Sequence, residues 1–231
     1  MNVAYNMDCL PAMRETPDNF YDLAVCDPPY GDGMGGNPDR FGGVNIRFEK
    51  YKPAVENRGG GKPWNRFGER FDRYKQSITD GRHMGGEVRK KIIAWDVAPE
   101  KEYFEQLFRI SRNQVIWGGN YFDLPPTRCF LIWRKTNVPQ DFTMAMAEYA
   151  WTSYNSNAKV FSYSAVGLPG RFHPSEKPVQ LYEWIYEMFA KPGYKILDTH
   201  LGSGTNRIAA YNAGLDFTGY EIDETYFKLQ N

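Results

Sequence analysis

Apolar positions near the N-terminus run Leu23-Ala24-Val25-Cys26 and then stop at Asp27-Pro28-Pro29-Tyr30. A proline pair lacks the N–H groups that a central strand must donate, so the pattern predicts a strand ending in a loop at its C-terminal tip. From Gly31 to about Gly86 apolar periodicity is lost, and glycine, arginine and isolated aromatics replace it, with Gly59-Gly60-Gly61 and Gly85-Gly86 as the densest breaks. This reads as a long insertion, functional or disordered.

Order resumes near Ile92. Tyr103, Phe104, Leu107 and Phe108 recur at helical spacing, and Gln114 to Trp117 is a strand candidate before the Gly118-Gly119 turn. Cys129 to Trp133, Glu148 to Thr152 and Lys159 to Tyr163 are three further β candidates without helices between them, which predicts antiparallel pairing at one sheet edge. A helix follows Pro178, a first-turn proline, with Leu181, Trp184, Ile185, Met188 and Phe189 on its apolar face. The C-terminal part reads strand (Lys195 to Asp198), glycine turn, helix (Thr205 to Ala213) and strand (Phe217 to Tyr220, then Glu221). Such a βαβ unit builds a parallel sheet that binds ligands at the C-terminal ends of its strands.

Composition narrows the class. The 231 residues are 42% hydrophobic and 16% aromatic, enough for one globular domain with a full core. No apolar run approaches the roughly 18–20 residues that cross a bilayer, and Met1 to Tyr5 lacks the features of a signal peptide, so no membrane association and a cytoplasmic location are expected. Cys9, Cys26 and Cys129 are an odd number at wide spacing, read as packed reduced thiols; no metal site is expected. A net charge of zero argues against a protein that coats nucleic acid non-specifically, yet residues 31–91 hold 14 Lys and Arg against 8 Asp and Glu, a local excess of +6.

Two loops carry candidate chemistry. Gly202-Ser203-Gly204 lets backbone approach a ligand closely, and Glu221, nineteen residues after Gly202, suits the two hydroxyls of a ribose. A tight strand-to-helix turn would look the same. The residues after Gly204 are Thr205-Asn206-Arg207, so the third glycine of the dinucleotide fingerprint is missing and a pyrophosphate site is disfavoured. Asp27-Pro28-Pro29-Tyr30 is more specific. An exocyclic amine on a nucleobase is a poor nucleophile because its lone pair is delocalised. Two acceptors converging on its hydrogens, the Asp27 carboxylate and the Pro28 carbonyl, would bias it toward tetrahedral geometry. Tyr30 offers a face for a base to stack on.

These segments resemble the DNA amino-methyltransferases, and specifically the beta group, in which the Asp-Pro-Pro-Tyr block precedes the cofactor block. His173-Pro174-Ser175-Glu176-Lys177-Pro178 resembles the family's His-Pro-Thr-Gln-Lys-Pro element. Asp198 to Thr205 resembles its Asp-Pro-Phe-x-Gly-Ser-Gly-Thr loop, with Thr199 and His200 departing from proline and phenylalanine. Asn6-Met7-Asp8-Cys9 stands where the family has Gly-Asp-Cys. His200 reads as a packing or hydrogen-bonding residue, and Asn206 stands where a second threonine is common.

The resemblance implies a Rossmann-like class I S-adenosylmethionine-dependent methyltransferase fold, circularly permuted. Its mostly parallel sheet carries an antiparallel edge, and its first two strands come from Lys195 to Glu221 and the next two from Val3 to Tyr30. The termini should lie close together. It implies a catalytic set of Asp27, Pro28, Pro29 and Tyr30. The implied cofactor set places Asp198, Gly202, Ser203 and Gly204 by the methionine portion, Thr205 and Lys177 on its carboxylate, Glu221 on the ribose, and Asp8 and Cys9 by the adenine. Residues 1–231 are then one methyltransferase domain, and the basic insertion 31–91 contacts DNA, with Trp64 and Phe67 among its aromatics. The implied activity is site-specific methylation of adenine N6 in duplex DNA on a flipped base, as in restriction-modification. Aspartate at the head of the block favours adenine, since many cytosine-N4 enzymes carry serine there. Methylation of cytosine N4, of RNA or of protein glutamine, and DNA binding without turnover stay open, and a homodimer is allowed.

Overall fold

A computed structural model describes residues 1–31, 97–138, 145–164, 173 and 175–230. The insertion read from the sequence, apart from Gly31, lies outside the described residues, as does Pro174. The chain divides into two compact units, one formed by Met1–Pro28 with Pro99–Asn231 and the other by Pro29–Ala98. In the second unit Gly31 has φ +63°, and a Cβ there would lie 2.7 Å from the Ala98 nitrogen. That close approach and left-handed backbone both call for glycine.

The first unit is an α/β sheet of eight strands. In chain order its elements are β1 (Asn2–Asn6), α1 (Cys9–Glu15), β2 (Leu23–Cys26), α2 (Lys101–Ile110), β3 (Gln114–Trp117), a 3₁₀ turn (Gly119–Tyr121), β4 (Phe130–Lys135), β5 (Ala147–Thr152), β6 (Lys159–Tyr163), α3 (Val179–Phe189), β7 (Lys195–Asp198), α4 (Thr205–Asn212), β8 (Asp216–Glu221) and α5 (Glu224–Leu229). The sheet order is β1-β8-β7-β2-β3-β5-β4-β6. Strands β1, β8, β7, β2 and β3 run parallel, and β5 is antiparallel to both β3 and β4. The C-terminal strands β7 and β8 thus sit between β1 and β2 from the N-terminus, which is the permuted arrangement that the motif order implies. The Met1 carbonyl accepts from the Phe217 N–H at 2.7 Å, which places the first residue beside the start of β8.

The three-stranded edge differs from expectation in one respect: β6 pairs parallel with β4, Leu131 opposite Lys159. Both edges of β5 are already taken by β3 and β4, so β6 must pass to the far side of β4. There, two strands that each oppose β5 run in the same direction.

Both faces of the central strands are covered, which is why β2 reads as an unbroken apolar run. Leu23 and Val25 point into one core with Val115, Trp117, Leu131 and Ile196, roofed by α3 and α4. Ala24 and Cys26 point into the other with Ile116 and Leu197, under α1 and α2. In α3 the fully buried face is Leu181, Tyr182, Ile185 and Tyr186, whereas Trp184, Met188 and Phe189 are partly buried. The two tyrosines shift the buried stripe because their rings pack inward, and the Tyr186 hydroxyl reaches Asn206. Pro178 is the N-cap, one position ahead of the first helical residue.

Candidate active site

Strand β2 pairs with β7 in parallel, Ala24 opposite Leu197. Asp27, one residue past β2, and the glycine turn that follows Asp198 therefore leave neighbouring strand tips at the same end of the sheet. Strand β8 brings Glu221 to that end beside Asp198, and β1 brings Asn6, with Asp8 and Cys9 just beyond it, beside Glu221. Strand pairing thus joins two segments from opposite ends of the sequence.

The glycine turn is built from left-handed backbone over buried polar anchors. Gly202 has φ +52° and Gly204 φ +75°, a region that costs an L-residue roughly 1–2 kcal/mol. A Cβ on Gly202 would sit 3.2 Å from His173 Cε1, and one on Gly204 2.7 Å from Gln230 Oε1. His173 and Gln230 therefore lie against the turn. The Ser203 and Thr205 hydroxyls, both buried, are 3.2 Å apart. Asp198 is buried and accepts from the His200 N–H at 3.0 Å and from Asn206 Nδ2 at 2.8 Å. Burial raises its carboxyl to about 7, against those hydrogen bonds, which lower it. Asn206 Nδ2 also donates to the Val25 carbonyl at 2.9 Å, and its Oδ1 accepts from the Tyr186 hydroxyl. One amide thus ties β2, β7 and α3 to the base of the turn.

Glu221 is buried. Its Oε2 accepts from the Gly202 N–H at 2.7 Å and its Oε1 from the Asp223 N–H at 2.8 Å, and burial pushes its pKa up. The carboxylate expected on a ribose therefore also braces the glycine turn. Asp8 is the N-cap of α1, accepting from the Leu10 N–H at 2.9 Å. Cys9 is buried with its thiol pKa raised by burial, and burial pushes Cys26 up to about 12. The three cysteines are free and buried, as the spacing predicts. His200 Nδ1 is hydrogen-bonded with Thr199 Oγ1 at 2.9 Å, and the ring meets Tyr103 edge-on at 5.5 Å. Burial lowers its pKa to about 4, which suits a packing residue.

Lys177 lies among carboxylates of its own chain. Its Nζ contacts Asp27 Oδ2 and lies 3.2 Å from Glu148 Oε2, and Glu148 Oε1 is 2.5 Å from Lys135 Nζ. Burial works against the charge on Lys177, but Asp27 and Glu148 outweigh it and hold the pKa above its ordinary value. Burial likewise raises Glu148, and Lys177 and Lys135 together bring it below the usual carboxylate range. Pro28 is buried beside Asp27, while Pro29 and Tyr30 fall in the second unit. Sequence reading missed Glu148, Lys135, Tyr186 and the service of Asn206. The one available signal was charge at the inner ends of apolar strands β4 and β5, where a lysine and a glutamate need partners.

The Gln230 amide nitrogen and oxygen are both buried, neither has a hydrogen-bond partner among the described residues, and a Cβ on Gly204 would meet the oxygen at 2.7 Å. Buried amide atoms are rarely left unpaired without a reason. Known proteins share this fold. The structure matches the S-adenosylmethionine complex of M1.HpyAVI with a TM-score of 0.52 at 17% identity, covering 100% of this chain and 97% of that one. It matches the cytosine-N4-specific PvuII DNA methyltransferase with a TM-score of 0.51 at 13% identity, over 98% and 84% of the two chains. The fold is the one that class I S-adenosylmethionine-dependent methyltransferases share.

In sequence, residues 132–231 match the DNA methylase family model. The type II methyltransferase M.HinfI from Haemophilus influenzae is 23% identical over 269 residues, covering 99% of this chain and 67% of that relative. Together these likenesses support the DNA amino-methyltransferase family.

Proposed function

We propose that this protein methylates the N6 amino group of adenine in duplex DNA, using S-adenosylmethionine, at a base flipped out of the helix. The observation that carries the reading is the pairing of β2 with β7, which brings Asp27 and the glycine turn to adjacent strand tips. Bound at the turn, the cofactor supplies an electrophilic methyl group on a sulfonium. The Asp27 carboxylate and the Pro28 carbonyl accept the two amino hydrogens and draw the nitrogen toward tetrahedral geometry, so its lone pair points at the methyl carbon. With S-adenosylmethionine bound there, its methyl carbon would pass to the amino nitrogen while the S–C electron pair stays on sulfur, and the proton lost from the nitrogen would pass to water. Asp198, Gly202, Ser203, Gly204, Thr205 and Glu221 are proposed to hold the cofactor, with Asp8 and Cys9 by its adenine; Tyr30, by its place in the block, is the stacking face. The basic segment 31–91 is proposed to bind the phosphates of the opened duplex.

The aspartate heading the block favours adenine. Cytosine N4 is the second reading, because the same architecture serves the PvuII enzyme. Incubation with methyl-labelled cofactor and duplex DNA, followed by digestion to nucleosides, separates the two: label in N6-methyladenine supports the proposal, and label confined to N4-methylcytosine, RNA or protein overturns it. Asp27→Ala should abolish transfer while cofactor binding survives, and near-normal turnover in that variant removes Asp27 from the reaction.

A further inference from the structure

A row of four charged side chains runs inward from the tip of β2, and the cofactor site does not account for it. Asp27 meets Lys177, Lys177 meets Glu148 at 3.2 Å, and Glu148 meets Lys135 at 2.5 Å. The signs alternate and the row is neutral. Its members come from four places: the end of β2, the segment leading into α3, β5, and the end of β4. Lys177 and Lys135 are buried, with side chains 2% and 8% exposed. Each ammonium lies over an indole, Lys177 at 5.3 Å from the Trp117 ring and Lys135 at 5.1 Å from the Trp133 ring. Taking two ammonium groups and two carboxylates out of water is unfavourable, and well-packed apolar residues would stabilise the same space at least as well. A row like this specifies geometry more than it adds stability.

What it specifies is the orientation of Asp27. An aspartate on a loop turns about its last side-chain bond, and a carboxylate that turns presents its acceptor directions at random. Contact between Lys177 Nζ and Oδ2 fixes the carboxylate plane. Glu148 has a second task besides holding Lys177 in place. Positive charge grows on the amino nitrogen as the methyl group arrives, and an unbalanced ammonium beside Asp27 would oppose it. Glu148 balances that ammonium, and Lys135 in turn balances Glu148. We propose that Lys177 is a positioning residue for the reaction, locking the Asp27 carboxylate in its accepting orientation, with Glu148 and Lys135 as the counter-charges that keep it there. This rests on the reading of Asp27 as the acceptor for the target amino group, and it replaces a role for Lys177 on the cofactor.

The test compares wild type, Lys177→Met, Lys177→Arg, Glu148→Gln and the double variant Lys177→Met/Glu148→Gln. The double variant removes one buried charge of each sign and so guards against misfolding of the single one. For each, kcat on duplex DNA at saturating cofactor, the dissociation constant for S-adenosylmethionine and the melting temperature are measured. A loosely held carboxylate should lower kcat by about 10²-fold in Lys177→Met and in the double variant, while the dissociation constant stays within about threefold. Lys177→Arg, which keeps a cation in reach of Oδ2, should recover to within about tenfold of wild type, and Glu148→Gln should lower kcat with cofactor affinity unchanged. A folded Lys177→Met or double variant with wild-type kcat overturns the proposal and leaves the function standing. So does a variant whose cofactor affinity collapses while kcat at saturation is preserved. A wild-type protein that transfers methyl groups to no DNA overturns the function and this inference together.

Discussion

At the end of β7 two buried groups titrate against each other. Burial raises the Asp198 carboxyl from 3.8 to about 7 and lowers His200 from 6.5 to about 4. The folded protein holds the Asp198 proton more tightly than the unfolded chain, so the stability it contributes is complete below about pH 4 and is lost as pH rises to about 7. For His200 the folded form holds its proton less tightly, so its contribution is present above about pH 6.5 and is lost as pH falls toward 4. In the window between, the two slopes oppose. Asp198→Asn removes the first and leaves the second, so its melting temperature should climb more steeply from pH 4 to 6.5 than that of wild type. The variant also gives up a hydrogen bond, worth about 1–2 kcal/mol, and for that reason slope and not absolute stability is the readout. Parallel curves would mean that Asp198 stays charged across the whole range. Asp198 itself was legible in the sequence, because a carboxylate ending an apolar run before a glycine turn has few other uses. Asn206 was legible only as a departure from a family pattern. Its partners, Val25 and Tyr186, lie 181 and 20 residues away, and no local spacing encodes a bond across three elements.

Strands and helices were easier to read than what joins them. Gln114 to Trp117, Lys159 to Tyr163 and Lys195 to Asp198 coincide with β3, β6 and β7, since each is a short apolar or alternating run closed by turn residues. Which edge β6 pairs with depends on β5 being occupied on both sides, a fact about the sheet and not about either strand. Gly219 shows how an element can act on the site at a distance. It lies mid-strand in β8 opposite Asp198 and Ala4, and a Cβ there would come within 2.6–2.8 Å of the Leu201 side chain. Leu201 is buried, its N–H donates to the Tyr220 carbonyl at 2.9 Å, and the next residue is Gly202. Gly219→Ala must therefore move Leu201, at a cost of about 1–3 kcal/mol for an overpacked core. Because Leu201 leads into the turn, affinity for S-adenosylmethionine should fall by about tenfold as well. Urea unfolding and calorimetric titration measure the two effects separately. Lost stability with unchanged affinity would show that the core absorbs the methyl group without disturbing the turn.

For the molecule as a whole, the charge distribution makes a prediction that no single residue does. Net charge is zero, yet residues 31–91 carry an excess of +6, so any attraction to DNA phosphates is concentrated in one stretch of chain. Each neutralised phosphate contributes about −0.9 to the slope of log affinity against log salt. A protein that binds duplex DNA through roughly five phosphates in this segment should show a slope of about −4.5, a loss of several hundredfold between 50 and 200 mM salt. Residues 59–82 hold six of the basic side chains, Lys62, Arg66, Arg70, Arg73, Lys75 and Arg82. Replacing 59–82 with a short Gly-Ser linker should therefore reduce the magnitude of the slope by about two to three units and weaken binding most at low salt. Binding of S-adenosylmethionine at the strand ends of the first unit should be unaffected, since none of its proposed ligands lies in the deleted stretch. If the truncated protein keeps both its affinity and its salt slope, the basic residues of 59–82 do not meet the duplex, and the phosphate contacts come from elsewhere in the chain.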